Sequence, residues 1–262
     1  MKTIKYILLL ATVTPLFAAC EKNNENEDDD PDWTLTRSIL LESAETNIPR
    51  PADTYVYPYT PGTAEWNKLH KEKSMDEIKE LLQVPMDVLK NMSTEGIIQS
   101  LFDYPFSFSF TADNFSSLRG FDNFIRDRNA FTALANREDA GSKMLKIYKL
   151  YNPINKYSIF YDELIELLIA QPEIYTKLTK AETKDMIREG LNKYNYRKDH
   201  IDKKYLHYQS TCIMMGRIMV ADGYSPIVKT YEQEKELKDL LDKGLSSYHF
   251  DNIIDFAKNY VK

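Results

Sequence analysis

Asp162, Glu163 and Glu166 stand nearest to chemistry in this chain, three acids inside an apolar stretch of otherwise hydrophobic residues. Glu163 and Glu166 are three apart and share one face of a helix, the arrangement that a general acid–base pair in a groove would use. Acids on an apolar helix also serve as its solvated stripe, and that is the reading adopted for these three. His70, His200, His207 and His249 are the only histidines. His200 and His207 lie two helical turns, about 10.5 Å, apart if one helix holds both, too far to share a zinc ion. Cys212 falls in the series Tyr205, Tyr208, Cys212, Met215, Met219, whose three- and four-residue steps place it on a buried helical stripe as a small hydrophobe and not as a nucleophile. A nucleophile elbow, a phosphate-cradling glycine loop and a dinucleotide fingerprint are all absent. The expectation is a non-enzymatic protein without metal or cofactor.

Tyrosine is the more suggestive residue. The chain has 18, and several stand among cations between residues 194 and 208. Tyr194, Tyr196, Arg197, Tyr205 and Tyr208 are the residue types that carry binding hot spots, and a tyrosine face can stack on a sugar. They are the expected contacts for a protein or glycan ligand. The alternative is amphipathic packing, with the rings inward and the cations in water.

The elements that would position these groups are helical. With 262 residues, 43% of them hydrophobic, and only 8 glycines, the chain suits a large folded body and not a turn-rich sandwich. Residues 64–73, 74–82, 86–92, 93–104, 115–136, 139–151, 157–171, 179–196, 203–221, 225–241 and 248–261 carry helical periodicity. Ser74 with Glu77 and Thr179 with Glu182 are capping boxes. Ser225-Pro226 reads as a cap followed by a first-turn proline. Phe106, Phe108 and Phe110 alternate with small polar residues, as a strand or as a packed aromatic loop. The fold class is all-α: an irregular α-superhelix or a compact array of about ten to eleven antiparallel helices, with no fixed repeat period.

The amino terminus carries an address. Lys2 and Lys5 precede an apolar run at 7–17, then Ala18, Ala19 and Cys20. This resembles a bacterial lipoprotein signal, which implies residues 1–19 as the leader and Cys20 as the acylated, membrane-anchoring residue. Acidic residues 20–33 form a tether, whose seven carboxylates account for most of the net charge of −6. A self-repelling run of this kind stays extended, and it resembles the stretch behind the lipidated cysteine of surface-exposed Bacteroidetes lipoproteins. An outer-membrane location facing outward is expected, with a periplasmic orientation as the alternative. Residues 34–62, with Pro49, Pro51, Pro58 and Pro61 among three tyrosines, form an extended arm lying against the body. Residues 63–262 form a single helical domain. With no basic region available, nucleic acid is not an expected partner.

TPGTAEW at 60–66, LLQVPMDVLKNMSTEGIIQSLFDYPF at 81–106 and NREDAGSKML at 136–145 resemble a family of uncharacterised Bacteroidetes helical lipoproteins. The resemblance covers residues 58–150. It implies a secreted, helical, lipid-anchored protein and no particular activity. It carries no catalytic residues onto this chain.

Overall fold

The computed structural model describes residues 50–107, 117–151, 158–200, 208–245 and 248–262. The leader, Cys20, the acidic tether, the first part of the arm, Phe108, Phe110, Tyr205 and His207 lie outside the described residues.

The body is all-α. Its first four helices are α1 (Ala64–Glu72), α2 (Met75–Leu81), α3 (Met86–Asn91) and α4 (Thr94–Phe102). After α5 (Ser117–Phe121) comes a single π-helical turn, Asp122–Arg126, and then α6 (Asn129–Ala135) and α7 (Ala140–Leu150). The remainder holds α8 (Ser158–Ile169), the one-turn α9 (Pro172–Tyr175), α10 (Lys180–His200), α11 (Gln209–Ala221), α12 (Ser225–Gln233), α13 (Lys235–Lys243) and α14 (Phe250–Tyr260). Among the described residues this makes fourteen α-helices, more than the expected ten or eleven, because two long segments are broken and the one-turn α9 was not expected.

The continuous helix expected over 115–136 bends at Arg128, whose backbone is extended (φ −79°, ψ 135°). Tertiary bonds cause the bend. Arg128 Nη1 donates to the Lys79 carbonyl at 2.7 Å, and the Asn129 amide pairs with both the N–H and the C=O of Val84. The second break is at Glu234 (φ −108°, ψ 111°), which turns Leu237, Leu240 and Leu241 into the core. Leu241 lies directly on Gly216, where a Cβ would come within 2.5 Å of it. Tyr224, and not Ser225, occupies the cap position of α12. Both capping boxes form as expected: Ser74 and Thr179 each donate their N–H to the glutamate three residues on, at 2.9 Å.

The described part of the arm lies against the body through Tyr57, buried beside Tyr55 and Tyr104. Its Asp53 accepts the Ser93 N–H and hydroxyl at the start of α4, and the Ser93 N–H holds the Asp53 carboxyl below its ordinary pKa. Gly96 makes this approach possible, since a Cβ there would sit 2.5 Å from Asp53 Oδ1. Arg50 pairs with buried Asp103 at 2.5 Å.

Helices α4, α7, α10 and α14 pack in succession, each on the next. Helix α11 touches α8, α10, α12, α13 and α14, which closes the carboxyl-terminal half into a compact array around it. Buried residues from Ser210 to Gly216 cover its whole circumference. Hydrogen bonds between elements recur at a separation of 40–49 residues: Thr94 to Asp139, Arg126 to Gln171, Lys177 to the Ala135 carbonyl and Arg217 to the Ala170 carbonyl. In the last two, a cation from a later element satisfies carbonyls at the carboxyl end of a helix roughly 45 residues earlier, where the helix dipole is negative. No helix among the described residues is long and apolar enough to cross a membrane.

Candidate functional site

Two places gather hydrogen-bonding side chains, and they differ in access to water. The first is built where α7, α8, α10 and α11 meet. Asp162 and Glu166 have no exposed surface and Glu163 is 3% exposed, so the solvated stripe expected for these acids is overturned. Over residues 161–169 helix α8 is enclosed on all sides, and Glu166 faces partners on the surrounding helices. Glu166 accepts from Tyr148 Oη at 2.6 Å, Ser210 Oγ at 2.5 Å and Thr211 Oγ1 at 2.8 Å, and it pairs with the Arg197 guanidinium. Arg197 also donates to Thr211 Oγ1 at 2.6 Å. Lys193, one turn earlier on α10, bonds the Tyr151 carbonyl and meets Glu189 at 3.3 Å.

The electrostatics follow from burial. For Arg197 burial disfavours the cation, but Glu166, Asp162 and Tyr148 overcome it and raise the pKa. Burial, then Glu166 and Asp162, keeps the Tyr148 hydroxyl protonated far above its ordinary range. Asp162 stands apart. Its Oδ2 is 3.5 Å from Arg197 Nε, and neither oxygen has a hydrogen-bond partner. Burial pushes its pKa up to about 7, against the pull of Arg197. Cys212 is fully buried next to this cluster, and burial raises its thiol pKa well above the ordinary value. It is the core hydrophobe that its spacing predicts.

Arg197 is therefore an interior residue, and the correction to the expected binding surface is direct: its guanidinium is occupied by Glu166 and Thr211. Of the described tyrosines around it, Tyr194 and Tyr208 come together and Tyr196 does not join them. Tyr194 and Tyr196 stand two apart on α10 and point away from each other. The Tyr194 ring packs on Tyr208 with centroids 4.6 Å apart, and the Tyr208 hydroxyl is buried. Tyr196 stacks on exposed His200 at 4.3 Å. Of the other histidines, His70 bonds the Trp66 carbonyl and His249 is the residue preceding α14. Among the described residues no group of three or more potential ligands could hold a metal ion.

The second place is an open cleft of about 510 Å³, which sequence reasoning missed. It lies between the π turn, α9, the end of α11, and α12 and α13. Asp122 and Arg126 come from the π turn, where the wide helix places them 3.8 Å apart. π-helical turns are frequent at functional sites. Pro172 opens α9 and fixes Tyr175 in the wall. Tyr231 on α12 donates to Asp242 Oδ1 at 2.7 Å across to α13. Arg217 reaches in from α11. Its three donors meet the carbonyls of Leu241 (2.6 Å), Ala170 (3.0 Å) and Asp242 (3.3 Å), so it ties together the carboxyl ends of α8 and α13. Burial lowers its pKa from the ordinary value. These residues span more than a hundred positions with no motif among them; the Asp122–Arg126 spacing was the only local sign. No family model, curated protein or solved structure matches this chain.

Proposed function

We propose that this chain is a non-catalytic binding module of the cell envelope, anchored through acyl chains on Cys20, with the cleft beside α9 and α11 as its ligand site. The contrast in solvent access supports this reading. Among the described residues the carboxylates of α8 are sealed where four helices meet, and Glu166 has its hydrogen bonds committed to the neighbouring helices, so a substrate has no route to Glu163 or Glu166. The cleft is open, its lining mixes polar and apolar groups, and its size falls in the range of about 300–1,000 Å³ usual for small-molecule sites. The acidic tether supports outward display, because an extended charged chain holds the body clear of the membrane. Nucleic acid is an unsuitable ligand for so acidic a chain.

Native mass spectrometry of the full-length lipoprotein, purified from its own envelope, tests the proposal. The expected result is a small-molecule adduct taken up from envelope extract by the wild type and lost in Ala221→Trp, which fills the cleft from the exposed end of α11. Equal uptake by both proteins would overturn the cleft as the site. Turnover of any extract component that disappears in Glu163→Gln would overturn the non-catalytic reading in favour of a hydrolase. Palmitate labelling that persists in Cys20→Ser would overturn the anchor.

A further inference from the structure

Taking the cleft as the ligand site, we infer from its lining that the ligand is a short saccharide, bound through hydroxyl groups and not through a net charge. The charged side chains in the wall are Asp122, Arg126, Arg217 and Asp242, which sum to zero. A small anion entering there meets two aspartates, and a small cation meets two arginines. The arginines are also largely committed. Arg126 donates to Gln171 at 2.6 Å and Glu173 at 2.7 Å, and Arg217 serves three carbonyls. Neither is a bare cation waiting for a phosphate or carboxylate.

The groups left for a ligand are mixed. Asp122 pairs with the Arg126 guanidinium at 3.8 Å and accepts no side-chain hydrogen bond among the described residues. Asp242 uses Oδ1 for Tyr231 and leaves Oδ2 open. The Tyr175 hydroxyl makes no hydrogen bond among the described residues and can both donate and accept. Acceptors and a two-way hydroxyl, interleaved on a wall of zero net charge, complement a ligand whose own groups both donate and accept. Hydroxyl groups do this; ions do not. Much of the remaining lining is apolar, including Leu118, Val220 and the Tyr175 and Tyr231 rings. Such a surface covers the C–H faces of a sugar ring, and the two tyrosines supply rigid area at low entropic cost.

The test uses full-length protein in a sugar-free detergent. An array of neutral, uronate and amino di- and trisaccharides is probed first, followed by calorimetry with each sugar that binds. Sodium acetate and methylammonium chloride serve as charge-only controls. The expected result is binding of a neutral sugar that weakens at least tenfold in Asp122→Ala, is lost in Ala221→Trp and is not reproduced by either control ion. Silence of the whole array would overturn the saccharide inference. It would leave the binding-module reading to stand or fall by the mass-spectrometric adduct. Sugar binding unchanged in Ala221→Trp would overturn the cleft as the location. A response to acetate or methylammonium that matches the sugar's would overturn recognition through hydroxyls.

Discussion

The sealed cluster around Glu166 and the open cleft around Tyr175 use the same chemical vocabulary: arginine, carboxylates and tyrosine. They differ in whether water reaches them, and that difference separates a structural site from a binding site. In the cluster every strong group except Asp162 has its partners inside the protein, so the arrangement holds α7, α8, α10 and α11 in register. In the cleft the arginines are tied to backbone and neighbouring side chains, while Asp122, Asp242 and Tyr175 keep atoms open to solvent. Residue type alone does not distinguish the two; the enclosing helices do.

The comparison is tested most severely by Arg197→Met. Removing the guanidinium leaves Glu166 buried without its paired cation, and loss of one partner of a buried pair costs about 3–5 kcal/mol. Urea unfolding should show that loss. A change below about 1 kcal/mol would mean that the cluster does not bind the four helices together.

Asp162 gives the next effect, and its sign can be worked out. Its folded-state pKa of about 7 lies above the ordinary 3.8, so the native state holds the proton more tightly than the unfolded chain does. The contribution is fully present below about pH 4, declines as the pH rises towards 7 and is flat above that. The slope at its steepest is about 1.4 kcal/mol per pH unit. Asp162→Asn should remove this dependence and be more stable than the wild type at pH 8. Parallel stability curves for the two proteins between pH 4 and 8 would contradict it. Tyr148, Lys193, Arg197, Glu163 and Glu166 face the same group from three helices, so the difference between the two proteins, and not the wild-type curve alone, isolates Asp162.

Smaller effects are expected as the cleft is approached. Tyr148→Phe deletes one hydrogen bond to the Glu166 carboxylate and should cost about 1.5–3 kcal/mol by thermal unfolding, with no effect on ligand uptake. Asp122→Asn should change stability by less than about 0.5 kcal/mol, since its side chain is exposed, and should weaken ligand binding. If Asp122→Asn destabilises as much as Tyr148→Phe, the contrast between the two places collapses.

The all-α class, the positions of most helices, both capping boxes and the burial of Cys212 were legible from local periodicity, because each depends on residues three or four apart. The breaks at Arg128 and Glu234 were not, because apolar residues repeat across them and only bonds to Lys79, Val84 and the α11 surface reveal the bend. Asp162 and Glu166 carried the signature of a wet helix face. The partners of Glu166, Tyr148, Arg197, Ser210 and Thr211, lie 18 to 45 residues away on other helices, and Asp162 has only Arg197 beside it.

What the sequence determined by itself is which segments coil and which of their faces are apolar, since a side chain's rotation about its own helix follows from its position in the chain. Which helix covers which face was decided only in three dimensions. Partners 18 to 45 residues away, without any repeated motif, made Glu166 a buried strut, while Asp122, paired only within its own turn, was left an open acceptor. That choice depends on the removal of water by neighbours, and no local spacing encodes it.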